Sequence, residues 1–226
     1  GELRRGARLA PRVLERTAAG VLRAALVPTQ AGPLAGDRDR VRLVVRAGAA
    51  LAIEPVAATL ALPGAERIVL ELEVIVEPGG RLVLDEGPLI VAGGASVRRR
   101  CRIELADGAV AALRETVVLG RDGEPPGALD AATRVELDGR ALLHDGLRID
   151  PARAEGHVAL APGDRVVATV ALLGTRPDAP HDGYDLALPG ALLRRAGPAL
   201  AALEPQLAAT WSAWAQAALA SGADRG

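Results

Sequence analysis

Histidine, cysteine and serine side chains are the first places to look for chemistry in this sequence. The chain has three histidines, His144, His157 and His181, and a single cysteine, Cys101. No histidine stands three or four residues from another, so the ligand spacing of a zinc site is missing. An isolated histidine is more often solvated than a metal ligand, although a site assembled from distant residues stays open as an alternative.

The sequence also lacks the signatures of common enzyme sites. Its serines are Ser96, Ser212 and Ser221, and none lies in the Gly-x-Ser-x-Gly pattern of a nucleophile elbow. No phosphate-binding Walker loop and no dinucleotide fingerprint occurs. Adjacent acids such as Asp85 and Glu86 point to opposite faces of an extended chain and make a poor acid–base pair. We therefore predict a protein that is not an enzyme.

Charge and composition argue against two classes of partner. The formal net charge is −1, and no basic stripe with interleaved aromatic residues is present, so nucleic acid is not an expected partner. No apolar run approaches the roughly 18 residues of a membrane helix. The N-terminal residues lack the apolar region of a secretory signal, and a lone cysteine fits a reducing compartment. We expect a cytoplasmic protein that does not enter membranes.

The core must be built from small aliphatic side chains. Half of the residues are hydrophobic, but the chain has no Phe or Met and only three aromatic residues. Such side chains bury less apolar area per residue than aromatic ones. This composition indicates a protein that needs close packing, or a partner, for comfortable stability.

Alternating apolar and charged residues indicate β-strands, most clearly over 67–77 and 97–105. Each of these runs has one apolar face and one charged face. Arg99 is the exception, because it stands on the apolar face of its run. Two interpretations are open: its stem packs while its head reaches water, or a buried guanidinium pairs with an acidic group.

Five glycine-centred turns separate the strands at intervals of roughly 30 residues. Their central glycines are Gly48, Gly79, Gly108, Gly139 and Gly163. Glycine supplies the positive φ that tight turns require. The regular unit of two strands and a turn predicts a mainly β fold, in which stacked β-hairpins form a sandwich or a solenoid-like body.

The C-terminal part changes to a helical period. We predict two C-terminal α-helices within about 189–220, the first over 190–203 with Pro198 kinking it, after a β body spanning about 12–175. The second helix carries an apolar stripe that includes Trp211 and Trp214. The stripe either packs on the β body or forms a patch that binds a partner protein. No segment has the composition of a linker, so one domain over 1–226 is expected.

Several short motifs occur in order between about residues 12 and 173. They include Gly36-Asp37 before a strand, Glu86 within 85–90, and Glu115 followed by Gly120-Arg121. This ordered set resembles the UreD (UreH) family of urease accessory proteins. The chain departs from the family pattern where Ala35 replaces a glycine, and where residues 60–62 replace a common Tyr-Arg pair.

The resemblance implies a non-catalytic scaffold that acts with UreF and the GTPase UreG on the urease apoprotein. It also implies that nickel passes through a polar tunnel and that no cofactor is tightly bound. Asp37, Glu86 and Glu115 match acidic positions of the family and become candidate tunnel-lining ligands, since ions in transit need weakly holding oxygen donors. The structural alternatives are turn capping for Asp37, and an ion pair with Arg114 or Arg121 for Glu115. A β-rich binding module without a nickel role is the alternative function.

Overall fold

Two β-sheets and one helix make up the described part of the chain. The computed structural model describes residues 8–152, 160–161 and 163–220. A nine-stranded and a five-stranded sheet face each other. The strands are β1 Leu9–Arg16, β2 Leu22–Pro28, β3 Arg38–Val45, β4 Ala50–Glu54, β5 Thr59–Ala61, β6 Ile68–Val76, β7 Arg81–Val91, β8 Ser96–Leu105, β9 Val110–Leu119, β10 Ala128–Leu137, β11 Arg140–Ile149, β12 Val166–Leu173, β13 Tyr184–Asp185 and β14 Gly190–Gly197, and the helix is α1 Leu200–Ala220.

At three of the glycine turns, the chain crosses from one sheet to the other. β3, β6 and β8 lie in the five-stranded sheet, whereas β4, β7 and β9, which follow the glycine turns, lie in the nine-stranded sheet. Each strand pairs in parallel with its counterpart in the next unit. These units are therefore β-arches whose arms do not pair with each other. The predicted mainly β, solenoid-like stacking is confirmed, but hairpin pairing across these three turns is wrong.

The glycine turns of the three arches stack directly on one another. Gly48, Gly79 and Gly108 have φ values of 65°, 64° and 65°. The Gly48 N–H donates to the Pro78 carbonyl, and the Gly79 N–H to the Asp107 carbonyl, both at 3.0 Å. The hydrogen-bond ladder thus continues through the turns, and the predicted role of these glycines at positive φ is confirmed.

The fourth turn forms a true hairpin. Asp138 and Gly139 both have positive φ, 48° and 70°, as a two-residue type I′ turn requires. β10 and β11 pair antiparallel on either side of this turn. The twist of such a turn matches that of an antiparallel pair, so the stack of arches ends in a hairpin within the five-stranded sheet.

The space between the sheets holds two apolar clusters with a polar layer between them. Along β8, Val97 belongs to one cluster and Cys101 to the other, while Arg99 lies between them on the same face. Along β9, Leu113 and Leu119 flank Glu115 in the same way. Both sheets therefore contribute charged groups at one level of an otherwise apolar interior.

The helix α1 packs on the outer face of the nine-stranded sheet. Leu203, Leu207, Trp214 and Ala218 are buried against that face. No helix in the described part of the chain is long and apolar enough to cross a membrane. The helix thus covers the part of this face that β7, β9, β12 and β14 form.

The predicted helix over 190–203 is wrong. Residues 190–197 form β14, which pairs antiparallel with β12, and α1 begins only at Leu200. Ala191 and Leu193 face the helix, so the apolar residues follow a period of two. β12 is buried throughout, and an unpaired edge there would leave backbone groups without partners. Pro198 then separates the strand from the helix.

Candidate functional site

A cavity of about 370 Å³ lies between the two sheets at the level of the polar layer. It extends from the edge formed by β1 and β3 toward the opposite edge formed by β11 and β14. Charged side chains from both sheets contribute to its lining. Among them are Arg8, Asp39, Glu86, Arg99, Glu115, Asp145 and Arg194.

Glu86 follows Leu82 and Leu84 on the inward face of β7 and lies within a β-bulge. Glu86 and Gly87 of β7 stand opposite the single residue Glu115 of β9. Gly87 has a φ of 77° and donates its N–H to the Asp85 carboxylate at 2.9 Å. A Cβ on Gly87 would lie 2.9 Å from the Ala57 carbonyl oxygen. Glycine is needed here for both backbone shape and space, and the extra residue places Leu89 and Val91 on the same inward face as Glu86.

Arg99 holds Glu86 and Glu115 together at the centre of the cavity. Its guanidinium contacts the Glu115 carboxylate, and its Nη2 lies 2.6 Å from Oε2 of Glu86. The hydroxyl of Thr133 donates to Glu115 Oε1 at 2.8 Å. The side chains of Arg99 and Glu115 are only 13% and 16% exposed. These four residues form a connected polar cluster, which we call the central cluster.

The charge of Arg99 is strongly maintained. Burial opposes the charged form, but the attraction of Glu115 and Glu86 outweighs it and raises the pKa of the guanidinium well above its usual range. Burial also raises the pKa of the neighbouring Cys101 thiol. The thiol therefore stays neutral near pH 7 and is a poor metal ligand. Oxygen atoms are the donors that the central cluster offers.

Arg8 connects two acids at the β1–β3 edge. Its guanidinium contacts Asp37, and its Nε lies 2.7 Å from Oδ1 of Asp39. The Asp37 carboxylate also accepts the Leu34 N–H at 2.5 Å. The Arg8 hydrogen bond, followed by that from Leu34, lowers the pKa of Asp37. Asp37 thus closes a turn and shares its arginine with Asp39, which lines the cavity.

A second arginine–aspartate pair lies at the opposite edge. Arg194 of β14 contacts the Asp145 carboxylate of β11, and its Nε donates to the Thr169 hydroxyl at 2.9 Å. Asp145 is the cross-strand neighbour of Thr133 in the central cluster. Arginine–carboxylate contacts therefore recur at three places along the cavity.

Two of the three candidate acids meet, and the third does not. Glu86 and Glu115 share Arg99, whereas Asp37 lies with Arg8 at the edge. Of the two interpretations of Arg99, the one in which a buried guanidinium pairs with acidic groups is confirmed.

The expected partners of Glu115 are engaged elsewhere. Nη2 of Arg114 lies 2.6 Å from Oε2 of Glu204 on α1, and Arg121 contacts Glu124. The proposed pairing of Glu115 with either arginine is therefore wrong, since its partner comes from the facing sheet.

Sequence reasoning missed Asp39, Asp145 and Arg194. A signal for the first two was available, because each is an acid on the inward face of an otherwise apolar alternation. Asp39 precedes Val41 and Leu43, and Asp145 stands between Leu143 and Leu147. The same signal had marked Arg99. No comparable sequence signal identifies the partner of each charge.

The two histidines in the described part of the chain lie in different places. His181 accepts the Gly183 N–H at 3.1 Å through Nδ1, and its ring lies 5.4 Å from the Trp214 ring in an edge-on arrangement. His144 is close to Arg134 on the outer face of the five-stranded sheet. His157 lies outside the described residues. Within the described ranges, no three His, Cys, Asp or Glu side chains are grouped so that they could hold a metal ion.

The two tryptophans of α1 differ in exposure. Trp214 is 3% exposed and packs against the nine-stranded sheet, as the packing alternative expects. Trp211 is partly buried against the same cluster. Binding of a partner through these residues stays a prediction, and Trp211 has the more accessible side chain.

Comparisons with known proteins agree along nearly the whole chain. A family model described as UreD urease accessory protein matches residues 4–224. Urease accessory protein UreD 1 of Streptomyces griseus is 42% identical over 217 residues, covering 94% of this chain and 84% of that protein. Urease accessory protein UreD 3 of the same organism is 36% identical over 200 residues, with coverage of 84% and 78%.

A relative from another genus shows the same likeness over a shorter span. Urease accessory protein UreD 1 of Saccharopolyspora erythraea is 39% identical over 163 residues, which cover 70% of this chain and 63% of that protein. The match of the family model to almost every residue is the broadest of these findings. The resemblance first suggested by the ordered motifs is thus confirmed, and the chain belongs to the UreD family of urease accessory proteins.

Proposed function

We propose that this chain acts in urease maturation as a non-catalytic scaffold and that nickel passes through its inter-sheet cavity toward the urease apoprotein. The observation that carries the proposal is the polar layer between two apolar clusters. Burying charged groups costs stability unless they are paired and hydrogen-bonded, and apolar residues of similar volume often serve the fold equally well. A layer of charges through the core therefore favours a role beyond packing.

The donor chemistry of the cavity suits a nickel ion in transit. Glu86, Glu115 and Thr133 provide carboxylate and hydroxyl oxygens. Such oxygens bind divalent transition metals less strongly than thiolates or clustered imidazoles do. Nickel is the cargo in this proposal, and the cavity has no need of a resident metal or other cofactor. Weak donors allow an ion to leave as well as to enter.

The proposed partners are UreF, UreG and the urease apoprotein, and the proposed location is the cytoplasm. Trp211 on the outer side of the fold is the candidate contact residue, since tryptophan is enriched at energetically important interface positions. Trp214 would contribute indirectly by holding α1 in place. Neither nucleic acid nor a membrane is part of the proposal.

A scaffold without a nickel role is the second candidate. It is favoured by the observation that Glu86 and Glu115 already have an arginine partner and do not form a larger ligand group in the described ranges. Both candidates require a complex with other maturation proteins. They differ in whether the central carboxylates are needed for metal transfer.

Urease maturation in cells distinguishes the two candidates. Urease genes and the accessory genes would be co-expressed with this chain or with its Glu115→Gln or Glu86→Gln variant. The measurements are urease activity, nickel per urease active site, and recovery of the accessory complex. We expect either variant to lower the nickel content while the complex still forms.

The matched control is Glu73→Gln. Glu73 lies on the outer face of β6, with its carboxylate 3.3 Å from Arg40 Nη2. The change removes one acid from an ion pair without touching the cavity. Normal nickel content in all three variants would favour the scaffold without a nickel role.

A further inference from the structure

We propose that Arg99 is an internal counter-ion that keeps the Glu86–Glu115 pair from trapping a divalent metal ion. The inference rests on the proposed function, because it concerns how nickel could pass the central cluster without being retained. It assigns to Arg99 a role in setting metal affinity that is separate from holding the two sheets together.

The guanidinium lies between the two carboxylates and contacts both of them. Arg99 comes from the five-stranded sheet, whereas Glu86 and Glu115 come from adjacent strands of the nine-stranded sheet. One guanidinium nitrogen contacts Glu115, and the other lies 2.6 Å from Glu86. A divalent ion bound by both acids would have to displace the guanidinium group of Arg99.

The charge balance determines how strongly a metal would be held. With Arg99 present, the two acids and one guanidinium sum to a single negative charge. Without Arg99, two negative charges face the cavity at a site with reduced access to water. Electrostatic attraction is stronger in such a setting than in bulk solvent, so removal of the arginine should convert a weak site into a strong one.

Arginine fits this role because its guanidinium group stays protonated and positively charged. The neighbouring acids raise the pKa of Arg99, so deprotonation does not free the carboxylates. Metal entry therefore requires movement of the side chain rather than loss of a proton. The adjoining cavity of about 370 Å³ provides space for a displaced guanidinium. An ion that leaves is replaced by the returning arginine.

Nickel titration of the tag-free chain tests the inference. Nickel chloride would be titrated into the wild-type chain and into Arg99→Gln by calorimetry at neutral pH. We expect the variant to bind nickel with a Kd at least about ten-fold lower than wild type, and nickel to raise its Tm more. Adding Glu115→Gln to the variant should abolish the gain.

Arg100→Gln is the matched control. Arg100 is the next residue of β8, and its Nη2 lies 2.8 Å from Asp130 Oδ2 outside the cavity. The substitution Arg100→Gln removes the same positive charge, but it should leave the affinity for nickel unchanged. If Arg99→Gln does not fold, Arg99→Lys keeps the charge but lacks the planar fork, and nickel affinity should rise by a smaller factor.

Three results would overturn the inference. These are tight nickel binding by the wild-type central cluster, unchanged affinity in a folded Arg99 variant, and a gain that survives Glu115→Gln. None of them depends on urease activation. Failure of the counter-ion role is thus separable from failure of nickel passage, which the nickel content of urease measures.

Discussion

The ion pair between Arg99 and Glu115 joins the two arms of a single β-arch. Arg99 lies on β8 and Glu115 on β9, and the turn centred on Gly108 connects these strands. The arms belong to different sheets and share no ladder hydrogen bonds. The side chains therefore connect the sheets at a level where apolar packing is interrupted.

Loss of Arg99 should destabilise the fold. Arg99→Met leaves two largely buried carboxylates without their cation, and breaking such a pair costs about 3 kcal/mol or more. The free energy of unfolding, measured by urea denaturation, checks this. Arg99→Met combined with Glu86→Gln and Glu115→Gln should recover most of the loss, since no charge remains unpaired. Equal stability of the single and triple variants would contradict this account.

The stacked glycine turns should be sensitive to an added methyl group. Gly79→Ala places a side chain at a φ of 64°, which should lower the free energy of unfolding by about 1 kcal/mol or more. Gly146→Ala in β11 is the control, because φ is not positive there and the nearest atom to a new Cβ is 3.7 Å away. Chemical denaturation of both variants gives the comparison. A loss for Gly79→Ala no larger than that for Gly146→Ala would contradict a positive φ at Gly79.

The two tryptophans should separate stability from binding. Trp214→Ala removes a buried ring and should cost about 3 kcal/mol or more in unfolding free energy. Trp211→Ala should cost much less, because its side chain is partly exposed, yet it should weaken recovery of the accessory complex. Thermal unfolding and affinity co-purification measure the two effects. Undiminished co-purification of Trp211→Ala would remove this residue from the proposed interface.

Acid should weaken the turn between β9 and β10, in which the Glu124 N–H donates to the Arg121 carbonyl. The side-chain hydrogen bond with Arg121 lowers the pKa of Glu124 from 4.5 to about 2. A carboxylate with a lowered folded-state pKa contributes stability above its unfolded pKa, and the contribution is lost as pH falls through the folded value. The wild type should therefore lose more stability between pH 4.5 and about 2 than Glu124→Gln. Urea midpoints across this range check the difference, and parallel pH profiles would refute it.

Local chemistry was enough to place the turns and the strands with the clearest alternation. Positive φ is a steric property of single residues, so the turn glycines could be identified without knowing what surrounds them. Alternation likewise marked the buried faces of β6 and β8. The ordered motifs were sufficient to suggest the family to which the chain belongs. These features depend on neighbours in the chain, which the sequence contains.

Strand pairing was decided by the tertiary structure. A turn centred on Gly79 is compatible with a hairpin or with an arch, because its local geometry does not specify whether the arms pair with each other. The sequence of residues 190–197 fits either a helical or a strand pattern. These residues form a strand because they pair with the edge of β12. Hydrogen bonding across the sheet outweighed local helix preference there.

The sequence also did not reveal which residues pair with the buried charges. Arg99 was visible as a charge on an apolar face, and Glu86 and Glu115 as acids within motifs. Only the packing of the two sheets against each other brings the three together. An ion pair depends on distances between residues far apart in the chain, whereas a residue pattern specifies only the face on which each charge lies.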